Sequence, residues 1–201
     1  MRSVALGMVL AAVGSVAVAA CPQADDLSEG IYVGYDDDSI TRYYSVMPGE
    51  VIEDTMFMDG SGNRFVVITL GGLFELSFLD MPGGEADETS RERSEYASDL
   101  RAVQPVRAGQ EISTAAITTY ADGSVAREAY TVEIDVAPDV MIGGCRYQAL
   151  EVHHSYVSTD GVFGIQQRYL PELGIAIYDG TTEAGAEPET YAALWISNRA
   201  P

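Results

Sequence analysis

The chain has no lysine; all eleven of its basic residues are arginine. They stand against thirty-one aspartates and glutamates, for a formal net charge of −20 over 201 residues. A surface so short of positive charge repels phosphate backbones and anionic headgroups, so neither nucleic acid nor a bare anionic membrane is expected as a partner. Histidine is scarce too. His153 and His154 are the only two, adjacent on an expected strand. Strand neighbours point to opposite faces, so the pair is poorly placed to ligate one metal. The sequence has no Gly-x-Ser-x-Gly elbow, no His-Glu-x-x-His and no phosphate-binding glycine loop. Asp59-Gly60-Ser61-Gly62-Asn63 opens like a calcium loop. It then has Arg64 and Leu70 where glycine and a closing acid are required. No metal and no cofactor are expected. Without an acid–base or nucleophile constellation, the chain reads as a non-enzyme.

The longest uncharged apolar run lies at the N-terminus. Arg2 is followed by a Val/Ala/Leu stretch from Val4 to Val18, then by the small-x-small signature Ala17-Val18-Ala19. The run is interrupted by Gly7, Gly14 and Ser15 and falls short of the about 20 strongly apolar residues of a spanning helix. The expectation is a signal peptide over 1–20 and one β-rich domain over 21–201, exported to the periplasm. Cys21 and Cys145 are the only cysteines. Paired, they would close a loop of about 125 residues, worth about 4–5 kcal/mol in the chain-entropy model. Val18-Ala19-Ala20-Cys21 also resembles a bacterial lipobox, although leucine is preferred where Val18 stands and Pro22 is an unusual follower. Lipidation of Cys21 would anchor the domain to a membrane and leave Cys145 a lone thiol. The two fates exclude each other, and the even count favours the bridge.

Beyond the leader, turn chemistry recurs at short intervals. Asp59-Gly60, Asp122-Gly123, Asp160-Gly161 and Asp179-Gly180 are four Asp-Gly pairs, a dipeptide favoured in tight hairpins. Between the turns lie runs of Val, Ile, Thr, Tyr and Phe suited to strands. In Arg127–Val136, Tyr130, Val132, Ile134 and Val136 share one face while Thr131, Glu133 and Asp135 share the other, which is period 2. Strands are expected over 30–35, 40–47, 51–58, 64–70, 73–79, 111–120, 127–136, 146–158, 162–170, 175–178 and 190–197. The segment from Asp80 to Gln110 breaks this rhythm and reads as a crossover. Within it, Ser90–Val103 could form one short helix, with Tyr96, Leu100 and Val103 on a stripe. The fold class is therefore all-β: an antiparallel meander of about ten strands, curled into a half-barrel or small barrel to limit its edges.

A concave sheet face can hold a ligand or be filled by its own side chains. Leu150, Val152, His154 and Tyr156 fall on one face of their strand. His154, Tyr156 and Tyr130 are the candidate pocket residues. A buried carboxylate cluster beside His154 would point instead to an enzyme.

Several marks together carry a resemblance. They are Cys21-Pro22, Asp25-Asp26-Leu27 leading to Gly30-Ile31, Pro105-Val106-Arg107-Ala108-Gly109, Ile142-Gly143-Gly144-Cys145-Arg146-Tyr147, and Tyr169-Leu170-Pro171-Glu172-Leu173-Gly174. The chain resembles uncharacterised exported β-sheet proteins of marine alphaproteobacteria and is distantly similar to the half-barrels of the lipoprotein carriers LolA and LolB. The resemblance implies a fold more than an activity. The resulting expectation is a non-enzymatic envelope protein binding an apolar ligand, lipid or polypeptide on its concave face. The alternative is an envelope structural or interaction protein with a filled core.

Overall fold

The computed structural model describes residues 20–159 and 161–201. The leader expected over 1–20 lies outside them apart from Ala20, as does Asp160 of the third Asp-Gly pair. The strands are β1 (Ile31–Tyr35), β2 (Ser39–Met47), β3 (Glu50–Phe57), β4 (Arg64–Leu70), β5 (Phe74–Met81), β6 (Glu92–Tyr96), β7 (Gln110–Tyr120) and β8 (Val125–Val136). They continue as β9 (Val140–Ile142), β10 (Cys145–Tyr147), β11 (Leu150–Val157), β12 (Val162–Leu170), β13 (Ile175–Glu183), β14 (Glu189–Thr190) and β15 (Ala193–Ser197). Thirteen of them form one antiparallel sheet in the order β14-β13-β12-β11-β8-β7-β6-β5-β4-β3-β2-β1-β15. β9 and β10 form a separate hairpin inserted between β8 and β11.

The all-β meander is as expected, and most strands lie within a residue or two of their sequence positions. Period 2 dictates this: in β8, Tyr130, Val132 and Ile134 are buried while Glu133 and Asp135 are exposed. Three readings are corrected. No α-helix forms over Ser90–Val103; Glu92–Tyr96 is strand β6, followed by a 3-10 turn over Leu100–Val103. Ser94 and Tyr96 face inward while Arg93 and Glu95 face water, and pairing with β5 and β7 outweighs the helical stripe. Two long strands are each split: 146–158 into β10 and β11, and 190–197 into β14 and β15. Asp179-Gly180 is not a hairpin turn but a bulge within β13, where Gln166 pairs with Gly180 and Gln167 with Tyr178.

The sheet curls until its edges meet, without a ladder closing them. The link between β14 and β15 stitches the seam. Tyr191 N–H donates to the Asp179 carbonyl at 2.8 Å, and Asp36 N–H donates to the Ala192 carbonyl at 3.1 Å. Asp36 Oδ1 accepts from Ala192 N–H at 2.9 Å. The Asp36-Asp37-Asp38 run thus serves the chain itself, because Asp37 Oδ1 also accepts from the Ser39 amide and hydroxyl.

Strand alternation gives the curled sheet two ends. The β1–β2, β3–β4, β7–β8 and β11–β12 turns lie at one, the upper end; the β2–β3, β4–β5 and β12–β13 turns lie at the other. The lower end is filled. Ile142 and Tyr147 of the β9–β10 hairpin pack with Leu170, Leu173 and Ile175, and Leu100 and Val106 with Leu73 and Phe74. Cys21 and Cys145 are joined in a disulfide there, their Cα atoms 5.6 Å apart. Tyr147 OH donates to the Pro22 carbonyl at 3.2 Å, fastening the same segment again.

Candidate functional site

The upper half of the interior is not filled. It contains a cavity of about 340 Å³ lined by inward residues of β2, β3, β4, β5, β11 and β12, with Tyr35 of β1, Asp37 of the β1–β2 turn, and Tyr178 and Tyr191 at the seam. That lies within the range of small-ligand sites. Its composition changes with depth. Towards the upper turns, Phe57, Phe65 and Phe78 form a row across β3, β4 and β5, with ring centroids 6.0 and 5.8 Å apart, while Asp37 and Ser39 line the β1–β2 side. Towards the lower end the floor is polar: Tyr43, Glu53, Thr69, Glu75, His154 and Gln167.

Ladder register explains how these residues converge. Tyr43 lies opposite Glu53, Val51 opposite Thr69, and Thr69 opposite Glu75. A register shift follows, because Ile68 pairs with Ser77 while Thr69 pairs with Glu75. The extra residue, Leu76, lets Glu75 and Phe78 face the same cavity although they are three apart.

Glu53 and Glu75 are half-buried, and the surface they retain faces the cavity. Burial pushes the Glu53 carboxyl up to about 8, and the neighbouring Glu75 adds to the rise. Burial, then the charge of Glu92, pushes Glu75 up to about 7. Thr69 Oγ1 lies 3.2 Å from both Glu53 Oε1 and the Val51 carbonyl, and Ser94 Oγ lies 3.5 Å from Glu75 Oε1. Among the described residues, no arginine lines the cavity.

His154 is held in a chain of side chains. Its Nδ1 lies 2.6 Å from Tyr130 OH and its Nε2 lies 2.9 Å from Gln167 Oε1. The amide oxygen can only accept, so Nε2 carries the proton and Nδ1 accepts from the tyrosine. Burial holds the ring at about 4, so it is neutral at pH 7 with both nitrogens engaged. Tyr130 is buried behind the wall, packed between Tyr96 and Tyr156 with centroids 5.1 and 4.7 Å away. Its hydroxyl, like those of Tyr35 and Tyr43, is pushed up by burial.

Of the residues singled out in the sequence, His154 and Tyr156 line the cavity and Tyr130 supports His154 from the core side. Cys21 and Cys145 lie at the lower end. His153 points outward, 3.1 Å from Glu151. Among the described residues, no group of three or more His, Cys, Asp or Glu is placed to hold a metal ion. Sequence reasoning missed Glu53 and Glu75. Glu53 shares a strand face with Val51, Thr55 and Phe57, a signal present in the pattern. Glu75 carries no such signal, because only the bulge turns it towards Phe78.

No protein-family model matches the chain, and no curated protein matches it. Among solved structures, it is similar to the crystal structure of the hypothetical lipoprotein YmcC from Escherichia coli. The identity is 10% and the TM-score 0.46, over 86% of this chain and 84% of that one.

Proposed function

We propose that the protein is an exported, non-enzymatic binding protein of the cell envelope that holds a small amphiphile in the cavity of its curled sheet. The gradient within the cavity carries this reading. A row of phenylalanine rings at the upper end suits an apolar chain, and the carboxyl, hydroxyl and amide groups of the floor suit a polar head. A filled core would have favoured the structural or interaction protein. The leader supports a place in the periplasm. A Cys21 thiol engaged with Cys145 is not free for lipidation, which favours a soluble domain over a tethered one.

Native mass spectrometry of the mature protein from its own envelope tests the reading. The expected result is extra mass that leaves on denaturation, and a polypeptide two mass units below its free-thiol value. A protein that carries no extra mass and takes up no amphiphile in titration would sink the binding reading. A diacylglyceryl mass on Cys21 would sink the soluble one.

One observation favours a second reading. Glu53 and Glu75, protonated in part near neutrality and facing the cavity that His154 also lines, are what a general acid requires. A ligand recovered chemically altered by the wild type, and unaltered by Glu75→Gln, would move the assignment to an enzyme.

A further inference from the structure

We infer that the ligand is a basic amphiphile, its ammonium seated between Glu53 and Glu75 on the cavity floor and its apolar chain lying along Phe57, Phe65 and Phe78. This rests on the cavity being a ligand site and adds the charge of the occupant.

The first support is an imbalance. Three carboxyls line one cavity, Glu53 and Glu75 on the floor and Asp37, which is held by the Ser39 amide and hydroxyl, and among the described residues no arginine lines it. Arginine is the only strong cation this sequence has. The chain pairs several carboxylates with arginine elsewhere, as in Arg168–Asp179 and Arg146–Asp139, but neither floor carboxyl is in an ion pair with any of the described residues. Glu53 has the Thr69 hydroxyl and Glu75 the more distant Ser94 hydroxyl. Buried carboxylates normally have a charged partner. Here the position of that partner opens onto space able to admit a ligand.

The second support is the ring of aromatics. Tyr43 lines the floor and Tyr156 the wall of the same cavity, and Tyr35 bonds Tyr43 at 3.0 Å. Aromatic faces beside carboxylates attract ammonium groups through the ring quadrupole. A fatty acid would bring a further carboxylate against Glu53 and Glu75 and raise the cost of ionising any of them. An alcohol would leave both uncompensated.

Proton release is the signature of this arrangement. The groups facing Glu53 are Tyr35, Tyr43, Thr69 and Glu75; those facing Glu75 are Glu53, Glu92, Ser94, Tyr96 and Tyr156. None of them is a cation. Burial and mutual repulsion keep the carboxyls partly protonated, and an arriving ammonium reverses this. Each carboxyl that ionises gives its proton to the buffer, and the ammonium remains intact.

Isothermal titration of decylamine, decanol and decanoate at pH 7, in two buffers of different ionisation enthalpy, tests the inference. Decylamine is expected to bind at least about tenfold tighter than decanol, with decanoate weakest. Only the amine should release protons. In Glu53→Gln/Glu75→Gln the preference for the amine should vanish while decanol still binds. Equal binding of the three, or amine binding without proton release, overturns the inference and leaves the cavity a ligand site. Binding of none overturns both. If the double variant does not fold, Glu75→Gln alone and wild-type proton release decide the matter.

Discussion

Glu53 and Glu75 hold their protons more tightly in the folded protein than in the unfolded chain, and His154 holds its proton less tightly. The signs are opposite. The glutamates stabilise the fold fully below their ordinary pKa near 4.5, and that contribution is lost as pH rises through about 7 for Glu75 and about 8 for Glu53. The neutral His154 stabilises it above its ordinary 6.5, and that contribution is lost as pH falls through about 4. Thermal melts without ligand should therefore peak in mildly acidic solution and decline towards pH 8.5. Glu53→Gln and Glu75→Gln should flatten the alkaline limb, with a gain on the order of 1–3 kcal/mol at pH 8. Variants no more stable than wild type at pH 8 would contradict the burial argument. At this scale the sequence was half legible. The alternation of β11 placed His154 and Tyr156 together, and that of β3 put Glu53 on the face of Val51, Thr55 and Phe57, but nothing local turns Glu75 inward, because that needs the register shift between β4 and β5.

Two elements carry tests of their own. The disulfide ties the segment before β1 to the β9–β10 hairpin, across 124 residues of sequence. Cys21→Ser/Cys145→Ser, or reduction, should cost about 2–5 kcal/mol in urea denaturation. An unchanged midpoint on reduction would show that the bridge contributes nothing. The β13 bulge is the second. A Cβ on Gly180 would lie 2.1 Å from the Glu189 carbonyl oxygen, so Gly180→Ala must push β14 away. A loss of about 1–3 kcal/mol is expected, with faster hydrogen exchange at the Tyr191 and Ala192 amides. Unaltered exchange there would mean the seam does not depend on that close approach. Trp195, the only tryptophan, packs directly over Gly34 on β1, so its fluorescence should report the same opening. Element identity was the most legible level, because alternation and turn residues are local. Bulges were not. Asp179-Gly180 has the composition of a hairpin turn, and only its partners Gln166 and Thr190 make it a kink.

Over the whole molecule, the charge of −20 acts against compactness. Raising sodium chloride from 10 mM to about 0.5 M screens that repulsion, so the melting temperature should climb with salt; a flat response would mean the acids are already neutralised locally. Several are engaged as turn caps. Asp59, Asp87 and Asp122 each accept from the amide two residues on. A long antiparallel sheet that must curl was legible from strand count and edge physics. Whether the curl fills or leaves a cavity was not, because that depends on register shifts in β5 and β13 that composition does not encode. The seam has one more consequence, for timing. Tyr32, in the first strand of the chain, pairs with Ser197, in the last. That ladder cannot form until almost the whole polypeptide is available, and pairing over such a span is slow. A nascent or threading chain therefore keeps β1 unpaired on that side until β15 arrives, and the seam beside the cavity closes only then.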